Sequence, residues 1–180
     1  STTPLAPPLD KMDKDTTCTY CGQCVAVCPT GALTEHDNTD QLMNDLCDPD
    51  KIVVAQPAPA VRAALGEEFG MAPGTLVTGK LATALRELGF DYVFATDFAA
   101  DLTIMEEGAE ILERLKKFLA GDKDVKLPIM TSCCPAWVNF YEHEYPDLLE
   151  YPSSARSPQQ MFGPIAKTYW AEKMGIPKEK

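Results

Sequence analysis

Hydrophobic and polar positions alternate in blocks along residues 52–130, and the blocks predict strands and helices in turn. Short apolar runs at 52–55, 92–95 and 127–130 are typical of buried strands. Between them apolar residues recur at helical spacing, as at Val61 and Leu65. This alternation favours parallel strands joined by right-handed crossover helices. We therefore predict an α/β fold built on a parallel sheet.

Polar and special residues predict the helix ends. Gly89 follows a predicted helix over 78–88, and Gly121 follows a long helix that we expect Asp101 to cap. A further helix is expected from Trp137 to Tyr145. Ser157, with proline next and Gln160 three positions on, predicts a capped helix start, and this last helix should run to Met174.

The loops after the predicted strands are the candidate ligand-binding segments. Ligands of parallel sheets bind beyond the carboxyl ends of the strands. We therefore expect the loops 56–60, 96–101 and 131–135 to meet at one edge, with Cys133 and Cys134 in the crevice. Pro128 restricts the third strand, because a proline must lie at the beginning of a strand or at a sheet edge.

Charge and composition exclude some function classes. The net charge is −11, from 16 Lys and Arg against 27 Asp and Glu, which would repel a nucleic acid. No apolar run approaches the roughly 20 residues of a membrane span, and the first residues lack the order of a signal peptide. The chain does not begin with Met, so we expect a processed or excised product. Cysteines in metal-ligand spacing point to a reducing compartment, hence a cytoplasmic location, with the periplasm as the alternative.

Four cysteines in the first part of the chain have the spacing of iron–sulfur ligands. Cys18, Cys21, Cys24 and Cys28 precede Pro29 as C-x2-C-x2-C-x3-C-P, the run that holds 4Fe-4S clusters in bacterial ferredoxins. In two-cluster ferredoxins the fourth cysteine of the run belongs to the other cluster. The remaining ligands therefore come from outside this run, or Cys47 closes the site. The alternative is a structural zinc ion bound by the same cysteines.

A second thiol pair lies more than a hundred residues downstream. Cys133 and Cys134 are adjacent, and neighbours in an extended chain point to opposite faces, so they do not easily ligate one metal. One thiolate could bind a cluster while the other faces a separate cavity as a proton donor. A buried cysteine pair or a strained vicinal disulfide is the alternative.

Acidic residues cluster near the predicted start of the long helix. Glu106, Glu107 and Glu110 are expected in its first turns, with Glu107 and Glu110 on one face at i, i+3. The ordinary explanation is a favourable interaction with the helix dipole, and a functional role is the other.

Seven stretches in this order resemble the [FeFe]-hydrogenases. They are the cysteine run, Pro57-Ala58-Pro59-Ala60-Val61-Arg62, Val77-Thr78-Gly79-Lys80, Phe90-Asp91, Ala100-Asp101-Leu102-Thr103-Ile104-Met105-Glu106-Glu107, Thr131-Ser132-Cys133-Cys134-Pro135-Ala136-Trp137 and Ser157-Pro158-Gln159-Gln160. The resemblance implies reversible reduction of protons to H2 at an H-cluster. That cofactor is a diiron subcluster with CO, cyanide and a dithiolate bridge, linked to a 4Fe-4S cluster.

The resemblance also implies residue roles. Cys134 would ligate the 4Fe-4S part of the H-cluster, and Cys133 would be the proton-transfer thiol beside the diiron part. A proton path would lead outward through Glu107, Ser153 and Glu110. The pocket for the diiron ligands would be lined by Pro59, Ala60, Pro158 and Gln159.

The resemblance further implies an organisation and partners. Residues 1–17 would be a linker, 18–47 a ferredoxin-like 4Fe-4S segment, and 48–180 the N-terminal portion of the catalytic domain. After Cys134 this sequence contains neither the family's M-P-C motif nor its C-x3-C motif, which supply three more cluster cysteines. We therefore expect a second polypeptide or further sequence to complete the site. A ferredoxin-type or cytochrome-type carrier would exchange electrons with it. The competing hypothesis is a non-catalytic iron–sulfur protein for electron transfer, sensing or cluster assembly.

Overall fold

The computed structural model describes residues 18–177, which form eight α-helices, two short strands, one 3-10 turn and one π turn. The predicted linker 1–17 lies outside the described residues. The elements are α1 Gln23–Ala26, α2 Thr39–Leu46, β1 Val54–Ala55, α3 Pro59–Glu68, α4 Thr78–Glu87, β2 Tyr92–Val93, α5 Thr96–Leu119, α6 Pro135–Glu144, the 3-10 turn Pro146–Leu148, α7 Pro158–Ile165, the π turn Ala166–Trp170 and α8 Ala171–Met174.

The described chain divides into two compact units. The first contains residues 18–35 and Glu106–Ala155, and the second contains His36–Met105 and 156–177. The domain boundaries 1–17, 18–47 and 48–180 stay predictions. No helix of residues 18–177 combines the length and the apolar character needed to cross a membrane.

The two strands of the second unit pair in parallel, which confirms the α/β fold with a parallel sheet. Val54 lies opposite Tyr92, and Ala55 lies opposite Val93. The ladder extends by one bond, because the Phe94 N–H donates to the Ala55 carbonyl at 2.9 Å. The two strands therefore end side by side, and the chain continues from both at the same edge.

The expected third strand over 127–130 is wrong. The sheet of the described residues has two strands, and Met130 forms an isolated bridge with Pro152 instead. The Ser153 N–H donates to the Met130 carbonyl at 2.7 Å, within the first unit. Pro128 offers no N–H to a ladder, and a segment twenty residues downstream takes the pairing groups of Met130.

The long helix begins earlier than predicted. Helix α5 starts at Thr96, so Asp101 lies inside it and caps nothing. Glu106, Glu107 and Glu110 consequently lie in its middle turns, where the helix dipole gives a carboxylate little stabilisation. That dipole explanation for the three acids is therefore wrong. Residues 96–101 likewise form helix rather than the expected loop.

The other predicted helix ends agree closely with the structure. Gly89 follows α4 at φ +107°, a backbone region that glycine enters without steric cost, and the Phe90 N–H donates to the Leu85 carbonyl at 3.2 Å. Helix α6 starts two residues before the expected Trp137. At α7 the Ser157 Oγ accepts the Gln160 N–H at 3.3 Å, and Pro158 is the first helical residue, as predicted.

The π turn after α7 brings Trp170 onto the small sheet of the second unit. Pro164 inside α7 lacks an N–H, and the chain continues as Ala166–Trp170 in π geometry before α8. The Trp170 ring packs edge-on against Tyr92 at 4.6 Å and against Phe94 at 5.2 Å between centroids. This aromatic packing holds the last helices on the small sheet.

Candidate functional site

The cysteine run of the first unit forms a compact loop around α1. No disulfide links its thiols, and three of them are exposed while Cys28 is half-buried. Gly22 at φ +77° starts the single turn of α1, so the chain turns sharply between Cys21 and Cys24. Short spacing and a tight turn keep the four cysteines within one short segment, which suits a polynuclear cluster.

Backbone amides and hydroxyls stabilise thiolates in this loop. Hydrogen bonds from the Leu33 N–H first, and then from the Thr30 hydroxyl and N–H, lower the pKa of Cys28 to about 7. The Cys28 Sγ and Thr30 Oγ1 lie 3.6 Å apart. The pKa of Cys21 is also lowered, chiefly by the Gln23 N–H. The thiolate is the form that ligates iron, so these donors fit a 4Fe-4S cluster.

The same residues do not form a site for one ion. Within residues 18–177 no three His, Cys, Asp or Glu side chains converge so as to hold a single metal ion. A structural zinc ion needs four ligands about one centre, whereas a 4Fe-4S cluster spreads its four thiolates over four irons. The sequence spacing of the run, which is that of 4Fe-4S ligands, is what favours the cluster over zinc.

The double thiol precedes helix α6. Cys134 is the N-cap residue in extended conformation, and its Sγ accepts the Trp137 N–H at 3.5 Å. Cys133 and Cys134 are both free and exposed, so neither a vicinal disulfide nor a buried pair is present. A sulfur that receives a helix N-terminal N–H is suited to a thiolate ligand, and thus to the cluster part of an H-cluster.

Ser132 fixes the chain immediately before the double thiol. Its hydroxyl lies 2.9 Å from the Ser153 carbonyl and 3.0 Å from the Ala155 carbonyl. The Trp137 indole N–H also donates to the Thr131 carbonyl at 3.2 Å. The chain next to the thiols is thereby held against the segment 153–155. No role for Ser132 was predicted from the sequence.

Glu110 and Ser153 come together across 43 positions of sequence. The Ser153 hydroxyl donates to the Glu110 carboxylate at 2.7 Å, and the Ser154 N–H donates to the same oxygen at 3.1 Å. Ser153 is 7% exposed and the Glu110 side chain 19% exposed. Partial burial raises the pKa of Glu110, but the hydrogen bonds from Ser153, Arg114 and Ser154 outweigh it and leave the pKa below its usual value.

Arg114 is the residue of this cluster that sequence reasoning missed. Its Nη2 donates to Glu110 at 2.7 Å. Its guanidinium also donates to four backbone carbonyls, those of Lys126, Glu150, Tyr151 and Pro152. A guanidinium offers five N–H donors in a rigid plane, so one side chain satisfies several acceptors. Its position four residues after Glu110 on a helix was the available sequence signal.

Glu107 is half-buried one helical turn before Glu110. Within residues 18–177, no hydrogen bond or ion pair joins it to Ser153 or to Cys133. Of the residues in the implied proton path, Ser153 and Glu110 are in direct contact, and the path itself stays a prediction.

The predicted pocket residues all lie in the second unit. Pro59 and Ala60 are the exposed first residues of α3, and Pro158 and Gln159 are the first residues of α7. Each pair thus lies at a helix start that a proline begins. Their position relative to the thiols of the first unit stays a prediction.

Comparison with known proteins identifies the family. Residues 51–180 match the family described as iron only hydrogenase large subunit, C-terminal domain, and residues 15–34 match the 4Fe-4S binding domain. The chain therefore belongs to the iron-only hydrogenase large-subunit family. Its first part carries the sequence signature of a 4Fe-4S domain.

Individual relatives agree with this family. The chain is 66% identical to the NADP-reducing hydrogenase subunit HndD of Solidesulfovibrio fructosivorans over 98% of its own length and 30% of the relative. It is 47% identical to iron hydrogenase 1 of Clostridium pasteurianum, over 82% of this chain and 25% of that protein. A more distant relative, cytosolic iron-sulfur assembly component 3 of Bos taurus, is 31% identical over 91% of the chain and 35% of the relative.

A solved structure confirms the fold. The apo [FeFe]-hydrogenase HydA1 of Chlamydomonas reinhardtii, variant C377H, aligns with a TM-score of 0.72 and 48% identity, over 78% of this chain and 35% of that chain. The chain therefore spans about a third of the length of the proteins it matches.

Proposed function

We propose that this chain is part of an [FeFe]-hydrogenase that catalyses 2 H+ + 2 e− = H2. The observation that carries the proposal is the hydrogen-bonded connection beside the double thiol. Ser132, next to Cys133, donates to the Ser153 carbonyl, and the Ser153 hydroxyl donates to Glu110. These bonds hold the acid–hydroxyl pair beside the segment that carries Cys133. They position the groups and are not themselves the proton path, which would run from Cys133 through Glu107 to Ser153.

The two thiols, Cys133 and Cys134, would have different roles. Cys134 would hold the 4Fe-4S part of the H-cluster, aided by the N–H of Trp137. Cys133 would exchange protons with the diiron part. The H-cluster, when bound, supplies the redox chemistry that joins two protons and two electrons. Pro59, Ala60, Pro158 and Gln159 would line the pocket for its diatomic ligands.

The acid–hydroxyl pair would carry protons between Cys133 and solvent. For outward transfer, Ser153 passes its hydroxyl proton to Glu110 while its oxygen takes one from Glu107. The lowered pKa of Glu110 keeps it ionised near neutral pH, ready to accept that proton. Arg114 holds the carboxylate in place at 2.7 Å.

The cysteine run would carry the electrons. Cys18, Cys21, Cys24 and Cys28 would bind a 4Fe-4S cluster, with the fourth ligand from this run, from Cys47 or from another part of the protein. The redox partner would be a ferredoxin-type or cytochrome-type carrier. A relative named as a hydrogenase subunit supports partnership with other subunits. A second polypeptide or further sequence would contribute the remaining H-cluster cysteines. We propose a cytoplasmic location, with the periplasm as the alternative.

The test compares two single variants in the full-length or fully assembled protein, matured and purified without oxygen. The parent should evolve H2 from a reduced dye and show infrared bands of metal-bound CO and cyanide. Cys133→Ala should abolish turnover and retain those bands, because only the proton carrier is lost. Cys134→Ala should lose the bands together with the cluster.

Two outcomes would contradict the proposal. If the parent shows iron–sulfur absorption but neither CO and cyanide bands nor H2 evolution, the chain is a non-catalytic iron–sulfur protein. The similarity to the assembly component makes that the alternative to test. If Cys133→Ala loses the cluster and Cys134→Ala keeps it, the roles of the two thiols are reversed.

A further inference from the structure

The carboxyl edge of the small sheet carries two chain segments that are bonded to each other. After β1 the chain runs through the loop 56–58 into α3, and after β2 it runs into α5, which begins at Thr96. The Thr96 hydroxyl donates to the Pro57 carbonyl at 2.7 Å in a partly buried position. This bond joins residues 39 positions apart.

An ion pair joins the same two segments one turn further on. Arg62 in α3 donates to Asp97 in α5 through both terminal nitrogens, at 2.6 Å and 3.3 Å. The hydrogen bond from Arg62 lowers the pKa of Asp97. Asp97 lies in the first turn of α5, where a carboxylate is favoured by the helix dipole.

The loop itself has few ways to hold its shape. Pro57 and Pro59 lack N–H groups, and Ala58 at the N-cap of α3 has no side-chain oxygen to cap the helix. A cavity of about 190 Å³ lies beneath it, lined by Pro57, Pro59 and mostly apolar residues of α4 and β2. The loop conformation therefore depends on the bonds that come from α5.

We propose that Thr96, assisted by the Arg62–Asp97 ion pair, is a positioning residue that holds the loop 56–58 and the start of α3, which carries Pro59 and Ala60, for the diiron ligands. This inference rests on the proposed function, which assigns those two residues to the ligand pocket. Thr96 acts through the Pro57 carbonyl and touches no ligand itself. The partly buried hydrogen bond contributes most, because an ion pair in which the Asp97 side chain is 58% exposed contributes little.

The first measurement is deuterium exchange of the loop amides in the full-length protein. Thr96→Val removes the hydroxyl at nearly constant volume and should raise the exchange rate of the Arg62 amide, whose N–H donates to the Ala58 carbonyl at 3.3 Å, about fivefold, the factor expected for one net hydrogen bond. Thr96→Ser keeps the hydroxyl and should restore the parent rate. Asp97→Asn should give a smaller increase.

The second measurement is the infrared spectrum of the matured protein. If the loop shapes the ligand pocket, Thr96→Val should shift or broaden the CO and cyanide bands and lower kcat, while Thr96→Ser should match the parent. Thr83→Val is the matched control, because the Thr83 hydroxyl also donates to a backbone carbonyl, that of Gly79 at 3.0 Å. That control should leave the bands and the loop exchange unchanged.

The outcomes distinguish a failure of the positioning role of Thr96 from a failure of the proposed function. Unchanged exchange in Thr96→Val would show that the hydroxyl does not hold the loop. Faster exchange with unmoved bands would show that the held loop does not shape the pocket. A parent protein without CO and cyanide bands would overturn the proposed function and the positioning role with it, whatever the exchange data show about the loop.

Discussion

The cluster of Glu110, Arg114 and Ser153 shows how individual residues orient one carboxylate. The carboxylate receives N–H and O–H donors from a guanidinium, a hydroxyl and the Ser154 amide, all within 3.1 Å by their shortest contacts. Such donors stabilise the ionised carboxylate and fix its orientation. In the proposed proton path this oriented carboxylate would receive the proton of the serine hydroxyl.

Replacement of Ser153 by alanine tests this arrangement at the residue scale. The variant loses the hydroxyl that donates to Glu110, so we expect turnover to fall by roughly 10²-fold, the lower end for loss of a proton-transfer group. Stability should fall by about 1 kcal/mol. H2 evolution and urea denaturation measure the two effects.

Ser154→Ala is the control for that variant. It removes a neighbouring hydroxyl 3.4 Å from the same carboxylate but keeps the backbone N–H that donates to Glu110. Turnover should stay within about twofold of the parent. Equal losses in both variants would mean that Ser153 acts through general packing rather than through its proton.

At the scale of elements, the candidate functional residues lie at helix starts. Cys134 is the N-cap of α6, Pro59 begins α3, and Ser157 caps α7 immediately before Pro158 and Gln159. Helix starts present unpaired N–H groups, and proline fits the first turn because its missing N–H has no intrahelical partner. These positions expose the side chains of the first turn and fix the direction in which the helix leaves.

Replacement of Ser157 tests the importance of one such start. Ser157→Ala removes the oxygen that accepts the Gln160 N–H, so the free energy of unfolding should fall by about 1 kcal/mol. Ser157→Asp keeps an acceptor at the same place and adds a favourable charge at the helix N-terminus, so it should retain the parent stability. Denaturant titrations compare the three proteins. Equal losses in both variants would show that the cap oxygen is unimportant.

At the scale of the whole molecule, the acidic charge sets how stability depends on pH. The net charge is −11, and the pKa values of Asp37, Asp97, Glu110 and Glu113 are all lowered in the folded protein. A carboxyl group whose pKa is lowered by folding stabilises the folded state at pH values above its unfolded pKa. That contribution disappears as the pH falls through the folded pKa, when both states become protonated.

Glu110 should account for a measurable part of this dependence because it is the least exposed of the four. Its unfolded pKa is about 4.3, so its contribution should be complete at neutral pH and should decline below about pH 4.3. Glu110→Gln cannot titrate, and the slope of its unfolding free energy against pH should be shallower in that range. Urea titrations at pH 7, 5 and 4 measure the slopes. Parallel curves for the parent and the variant would contradict this assignment.

Much of the site was predictable because its signals are local. The cysteine run is read from spacing alone, and the cap at Ser157 depends on residues only three positions apart. The adjacent cysteines Cys133 and Cys134 can be recognised in the sequence without a structure. The contacts between distant segments were not predictable, because each depends on which elements pack together. Neither the Thr96 bond to Pro57 nor the Arg114 contacts with carbonyls up to 38 positions away leave a pattern in the sequence.

The wrong predictions at Asp101 and at residues 127–130 arose because the sequence does not show which elements pack together. Asp101 resembled a helix cap, but the chain becomes helical five residues earlier. The apolar residues 127–130 resembled a strand, but Met130 found its partner at Pro152 instead of at the sheet. Propensity describes what a segment can form, and packing decides which partner it receives.

The sequence by itself determined the chemistry of this protein: which thiols and acids it has, how closely they follow one another, and how its helices end, since these depend on covalent spacing and short-range bonds. The tertiary structure alone decided which acid meets which hydroxyl and which helix supports which loop. Those contacts join residues some forty positions apart, and chain folding rather than local preference brings them within bonding distance.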